Sequence, residues 1–384
     1  MKLNYLPQQY KKNKSLSINH SYLIEQFSDY KKIFKIIEKT IKKADYTLGE
    51  EVNKFEKNIS KRMGSKNTIA VGNGTDALFL VLNALGIKAG DEIITTPFTF
   101  IATVASIVTV GAKPVFVDIK EDYNINEKLI QKAITKKTKA IMAVNWSGRP
   151  CELDKISSIA KKNKLKFIQD ACHSIDSNYK KNPIVKYSDA CTFSLHPLKN
   201  LNVWGDGGFI LTNNISLAKK LYLLRNHGLK DRNNCEIFAF NSRLDTIQAS
   251  IANYKIKNKL NIITKKRIQN AHALDRYLKS NKQIFIPLRK KYYKEVFHLY
   301  QINVDAKIRN KLINYLNSNN IDAKVHYPIP IHLQKAAKFL KYKKGDFPIA
   351  EKIANTSISL PVHEYVTKKQ LIHIANTINK FFKK

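Results

Sequence analysis

From about residue 68, short apolar runs alternate with amphipathic stretches, and this alternation constrains the fold of the 384-residue chain more than any other feature. Runs at 68–72, 92–96, 114–119, 140–144, 166–170, 190–195 and 208–212 read as strands. Stretches at 76–85, 101–110, 126–134, 153–163 and 216–225 read as helices. Runs such as Pro114-Val115-Phe116-Val117 and Ala140-Ile141-Met142-Ala143-Val144 are apolar throughout, as strands covered on both faces require. The pattern predicts an α/β large domain with a mainly parallel seven-stranded sheet flanked by helices.

After Asn241 the pattern changes. One long amphipathic helix is predicted over 244–278, with Ile247, Ile251 and Tyr254 at helical spacing. A β-rich run at 297–304, a helix at 309–317 and a proline-rich turn at 326–330 then predict a smaller C-terminal α/β domain. The expected organisation is an N-terminal segment over 1–44, a large domain over 45–243, and the long helix with the small domain over 244–384.

The net charge of +37 raises the question of nucleic acid. Only nine of the 67 basic residues are arginine, the side chain that forks onto phosphate and base edges. The lysines are spread along the chain rather than blocked with aromatics, so no nucleic-acid partner is expected. Such a field still favours a small acidic substrate. Cys151, Cys172, Cys191 and Cys235 form no C-x-x-C pair, which argues against disulfides or zinc and fits a reducing cytoplasm. The opening MKLNYLPQQYKKNK lacks the apolar core of a signal peptide. The uncharged stretch 93–112 contains Pro97, Gly111, five threonines and Ser106, so it reads as strand, turn and buried helix, with no membrane span expected.

In an open α/β sheet, ligands bind beyond the carboxyl ends of the strands. After the first strand comes Asn73-Gly74-Thr75-Asp76 at a helix start, either a phosphate cradle or an ordinary cap with Thr or Asp as N-cap. After the fifth comes Asp170, which can hold a pyridinium nitrogen protonated or simply cap a turn. After the sixth comes Lys199, in a turn braced by His196-Pro197 before the return Gly205-Asp206-Gly207-Gly208. A lysine there can form an imine with an aldehyde if burial lowers its pKa. Each piece is weak alone; their order along one sheet is specific.

At this point the sequence resembles the DegT/StrS family of sugar aminotransferases. The resemblance starts at Tyr46-Thr47-Leu48-Gly49 and runs through Asn73-Gly74-Thr75-Asp76-Ala77-Leu78, Pro97-Phe98-Thr99-Phe100 and Gly148-Arg149-Pro150. It continues through Asp170-Ala171-Cys172-His173, Ser194 to Lys199 and Gly205-Asp206-Gly207-Gly208. Downstream it takes in Asn226-His227-Gly228, Asn241-Ser242-Arg243-Leu244-Asp245, His326-Tyr327-Pro328 and Ser359-Leu360-Pro361.

That resemblance implies the fold type I architecture of pyridoxal 5'-phosphate-dependent transferases, with Lys199 as the Schiff-base lysine and proton shuttle. Asp170 then partners the pyridine nitrogen, Gly74, Thr75 and Ser194 hold the phosphate, and Phe100 stacks on the ring. His173 lies on the ring-hydroxyl side, and His326 and Tyr327 line the substrate mouth. Asn241 reaches the phosphate of a neighbouring subunit's cofactor, which implies a homodimer with shared active sites. The implied reaction moves an amino group from glutamate to a nucleotide-linked keto-sugar. The alternatives are another reaction on such a sugar, for example dehydration, or a non-catalytic cofactor-binding regulator. A dehydratase branch carries His in place of the lysine, and Lys199 argues against it. Asn145 and Trp204 depart from the family pattern and are expected to face the substrate; Gln169 stands where Glu is common. Cys172, Cys191, His196, His298 and Trp146 are expected to be structural.

Overall fold

A computed structural model describes residues 17–20 and 22–383. The opening segment over 1–16, residue 21 and residue 384 lie outside the described residues. The apolar runs form strands β1 (Asn67–Val71), β2 (Glu92–Thr95), β3 (Lys113–Phe116), β4 (Thr138–Val144), β5 (Lys166–Asp170), β6 (Ala190–Ser194) and β7 (Gly208–Thr212). They make one sheet in the order β1-β7-β6-β5-β4-β2-β3. Strand β7 runs antiparallel to both its neighbours, and the other pairings are parallel.

Parallel neighbours need crossover connections. Helices α4 (Ile101–Thr109), α5 (Glu127–Ala133) and α6 (Leu153–Lys162) lie in the crossovers from β2 to β5, and residues 171–189 link β5 to β6 without an α-helix. Helix α3 (Gly74–Ala84) joins β1 to β2, α1 (Tyr30–Lys42) and α2 (Glu50–Met63) precede the sheet, and α7 (Ile215–Leu224) follows it. The uncharged stretch is β2, a turn and the half-buried α4. Among the described residues no helix is long and apolar enough to cross a membrane.

The long helix expected over 244–278 is two helices, α8 (Thr246–Asn258) and α9 (Leu260–Leu278). They part at Lys259, whose φ of −127° leaves the helical region. The two serve different cores. Ala249, Ile251 and Ala252 pack with the sheet, whereas Ala271, Leu274 and Leu278 pack with the C-terminal unit. A change of direction lets each half follow its own core, and hydrophobic spacing carries no mark of it.

The C-terminal unit pairs β8 (Tyr300–Asn303) antiparallel with β9 (Ser357–Leu360). Helices α9, α10 (Ala306–Ser318) and α12 (Lys368–Phe381) cover the pair, and α11 (Pro348–Thr356) leads into β9. The N-terminal segment joins both units. Ile18 bridges to Ile321 and sits in the C-terminal core, while Ile33 and Ile37 of α1 sit in the core of the sheet.

Candidate active site

The carboxyl ends of β1, β2, β5 and β6 open into one cavity of about 780 Å³. Gly74, Thr75, Phe100, Asp170, His173, Ser194, Lys199, His326 and Tyr327 all line it. Asn241 does not; it is exposed, bridged to Asn226 on an arm that follows α7.

At one end lies the N-terminus of α3. The cap is Asn73, whose Oδ1 accepts the Asp76 N–H at 2.8 Å. Its carbonyl accepts the Ala77 N–H at 3.1 Å. The Thr75 hydroxyl is therefore not taken by capping, and the N–H groups of Gly74 and Thr75 lie ahead of the helical ladder, where an anion is favoured. The chain is tight around them. A Cβ on Gly74 would come within 2.8 Å of the Ser194 Cβ, and one on Gly208 within 2.4 Å of the Asn73 carbonyl oxygen. The glycines thus let β7 pass against the cap and leave backbone rather than side chain facing the cavity.

At the floor, Asp170 ends β5 and is 6% exposed. Its Oδ2 accepts the Thr103 hydroxyl at 2.7 Å and its Oδ1 accepts the Cys172 N–H at 3.2 Å. Lys199 stands in the β6–β7 turn, where its N–H donates to the His196 carbonyl at 2.8 Å. Burial lowers the pKa of the Lys199 ammonium from its usual value, against the opposing pull of Cys172 and Asp170. A lysine so shifted is a better nucleophile toward an aldehyde than an ordinary one.

Aromatic rings form the walls. His173 stacks on His298 with centroids 4.2 Å apart. Its Nδ1 accepts the Ser147 N–H at 3.3 Å, which leaves the proton of the neutral ring on Nε2. Burial, then Lys199 and His326, hold His173 well below the usual histidine range, so it works as a neutral donor. Phe100 faces Tyr327 at 5.8 Å, and Trp146 packs edge-on behind Tyr327 at 5.6 Å. His326 binds the Ser359 hydroxyl at 2.9 Å, and burial drives it down to about 3.

Some expectations are corrected. Asn145 does not face the cavity: it is fully buried and spans Gln169 Oε1 at 2.8 Å and the Cys151 N–H at 3.0 Å. Trp204 packs on Phe27 and Phe34, at 5.8 and 5.4 Å, away from the cavity lining. Conversely His196 and His298, expected to be structural, both line the cavity. Trp146 is packing, 1% exposed, with its indole N–H on Gln301 at 2.6 Å. Burial raises the Cys172 thiol well above its usual range and the Cys191 thiol to about 12, so neither is a ready nucleophile. His20, Tyr22, Gln26, Arg267 and Lys324 also line the cavity and carried no motif. They arrive from the N-terminal segment, α9 and the segment before the His326 turn, and only the folded chain brings them together.

The lining fits pyridoxal phosphate. Uncapped N–H groups suit its phosphate, a desolvated lysine its aldehyde, a buried carboxylate its pyridine nitrogen, and a neutral histidine the hydroxyl side of its ring. Residues 28–379 match the DegT/DnrJ/EryC1/StrS aminotransferase family. The chain is similar to a pleiotropic regulatory protein of Geobacillus stearothermophilus, 36% identical over 94% of this chain and 97% of that one. It is also similar to a dTDP-3-amino-3,6-dideoxy-alpha-D-galactopyranose transaminase of Aneurinibacillus thermoaerophilus, 35% identical over 91% and 95% of the two chains. Its fold superposes with a TM-score of 0.91 on DesV of S. venezuelae, solved with a ketimine intermediate, at 29% identity over 94% and 98%.

Proposed function

Because the chain belongs to the DegT/DnrJ/EryC1/StrS aminotransferase family, we propose that it is a pyridoxal-phosphate-dependent aminotransferase moving an amino group from glutamate to a nucleotide-linked keto-sugar. The observation that carries this reading is the convergence of Lys199, Asp170 and the N-terminus of α3 on one cavity. The sugar acceptor is supported by relatives such as the dTDP-sugar transaminase. The product class is then an amino sugar for polysaccharide or related biosynthesis. A purely regulatory role would need neither a desolvated lysine nor a buried aspartate facing the same cavity.

When bound, the cofactor supplies an aldehyde that joins primary amines and a ring that takes up an electron pair from the adjoining carbon. The N-terminus of α3, with Thr75 and Ser194, anchors the phosphate. Asp170 keeps a proton on the ring nitrogen, with Thr103 holding its carboxylate in place. His173 would donate from Nε2 to the ring hydroxyl, and Phe100 would pack against the ring. Lys199 would hold the aldehyde end through its amine and would serve as the base that moves the proton. His326 and Tyr327 border the opening through which the sugar enters.

Enzyme loaded with pyridoxamine phosphate is expected to regain its visible band with a nucleotide keto-sugar and, by reversal of the donor half-reaction, with 2-oxoglutarate, but not with other common 2-oxo acids. A product heavier by the mass of the keto-to-amine exchange should accompany it. Fast two-way turnover of an amino-acid pair, with no response to any keto-sugar, would replace the sugar reading with a general aminotransferase.

The enzyme acts as a homodimer in the cytoplasm. Four free thiols support the compartment. Supporting the dimer, Phe238 stands wholly in solvent on the arm that carries Asn241, and Phe240 is 42% exposed. Mixing inactive Lys199→Ala subunits with cofactor-deficient Asn241→Ala subunits is expected to restore part of the activity in heterodimers. Full activity from a sedimenting monomer would refute the shared site.

A further inference from the structure

Helix α8 turns a lysine inward. Lys255 is 1% exposed, beside the apolar Ile251 and Ala252. Its ammonium lies 4.2 Å from the centre of the Phe27 ring and donates to Oδ1 of Asn202. Among the described residues it has no carboxylate to itself. Asp29 is taken by Lys259 at 2.9 Å and by the Tyr254 hydroxyl at 2.6 Å, and Glu364 sits 3.4 Å from Arg267. A buried ammonium held by one amide oxygen is costly at a position where an apolar side chain would pack. What it touches is the turn that carries Lys199.

That turn closes with the Val203 N–H on the Leu195 carbonyl at 3.0 Å. Within it, Asn202 Nδ2 donates across to the Pro197 carbonyl and to Gln26 Oε1, the latter at 2.7 Å. Asn200 ties the other side, donating to the Val296 carbonyl at 3.1 Å. An amide can present its oxygen to Lys255 and its nitrogen to Pro197 in only one orientation. The lysine therefore sets which way Asn202 points, and Asn202 spans the turn three residues from Lys199. Lys255 itself does not line the cavity.

We propose that Lys255 is a positioning residue for Lys199, acting through Asn202 across the β6–β7 turn. This rests on Lys199 being the cofactor lysine. Burial, eased by Glu364 and Asp29 and reinforced by Lys259, brings Lys255 down to about 7. Below that pH the contact to Asn202 is a charge-assisted hydrogen bond, and above it the donor is neutral and weaker. The hold on the turn consequently relaxes as pH rises through neutrality.

The test uses holoenzyme carrying Lys255→Met or Asn202→Asp, with Lys199→Ala as control. Lys255→Met is expected to fold and to slow the amino-donor half-reaction by about tenfold or more, since small misplacements of a reacting group cost this much. KM for the donor should stay within about twofold. The natural enzyme's kcat profile is expected to carry an inflection near pH 7, and Lys255→Met should lose it. Asn202→Asp gives Lys255 a carboxylate partner and should move that inflection up by about one pH unit or more. A folded Lys255→Met enzyme with unchanged kcat and pH profile overturns the proposal. If that variant does not fold, an unmoved inflection in Asn202→Asp overturns it equally. A Lys199→Ala protein that keeps its lysine-linked absorption removes the premise instead, so the two failures are told apart.

Discussion

Lys199→Ala is expected to lose visible absorption and turnover together while keeping its fold. The side chain opens on the cavity, and the turn is held by backbone and asparagine contacts that alanine leaves in place, such as the Lys199 N–H on the His196 carbonyl. Removing a desolvated amine also relieves a cost, so the melting temperature should hold or rise. Catalysis has no such reserve. In the proposed mechanism the amine that captures the aldehyde and the base that moves the proton are the same group, and loss of a positioned base alone costs about 10²- to 10⁴-fold. Borohydride reduction of the natural enzyme followed by peptide mapping should place the label on Lys199. A label on another lysine, or a visible band surviving in the mutant, would overturn the assignment.

The sheet was legible because its strands are buried on both faces, so continuous apolar runs such as 140–144 have no competing reading. The antiparallel setting of β7 was not legible, because a strand's direction leaves no trace in its own residues. The break at Lys259 was hidden for a related reason. Helical spacing runs through it, and only the existence of two cores, one receiving Ala252 and the other Ala271, explains the bend.

The site divides in the same way. Asn73-Gly74-Thr75, Asp170 and Lys199 were readable because each lies at a strand end, where sequence position fixes spatial position. The structure gives the cap to Asn73 and so separates capping from phosphate binding, a distinction the bare sequence left open. Asn145 and Trp204 depart from the family pattern near the site, yet neither lines the cavity, because nearness in sequence does not fix which way a side chain points. Asn145 instead ties strand β5 to the loop before α6 through Gln169 and Cys151. His298 was missed because a histidine in a β-rich run has no local mark of function; its role depends on His173, 125 residues earlier, lying 4.2 Å away. The N-terminal segment was silent for the same reason, since His20 and Gln26 acquire meaning only against Ser359 and Asn202.

Asp170→Ala is expected to separate cofactor capture from catalysis. The phosphate end, built on α3, and the amine of Lys199 are untouched, so the mutant should still bind the cofactor and show a lysine-linked band. Both half-reactions should slow, on the order of 10²- to 10³-fold, because a preorganised charge opposite the developing charge has been removed. Asp170 is the carboxylate proposed to keep the ring nitrogen protonated, and Thr103 and the Cys172 N–H fix both its oxygens. Asp170→Asn should be nearly as slow, since an amide keeps the shape but cannot stabilise the ring's positive charge. Asp170→Glu, with the charge kept but moved by one methylene, should fall between natural enzyme and alanine. That ranking separates charge from shape. Half-reaction rates for Asp170→Ala and Asp170→Asn within a few-fold of the natural enzyme, measured by stopped-flow absorbance with the cofactor bound, would remove Asp170 from this role and leave its burial beside Lys199 as packing alone.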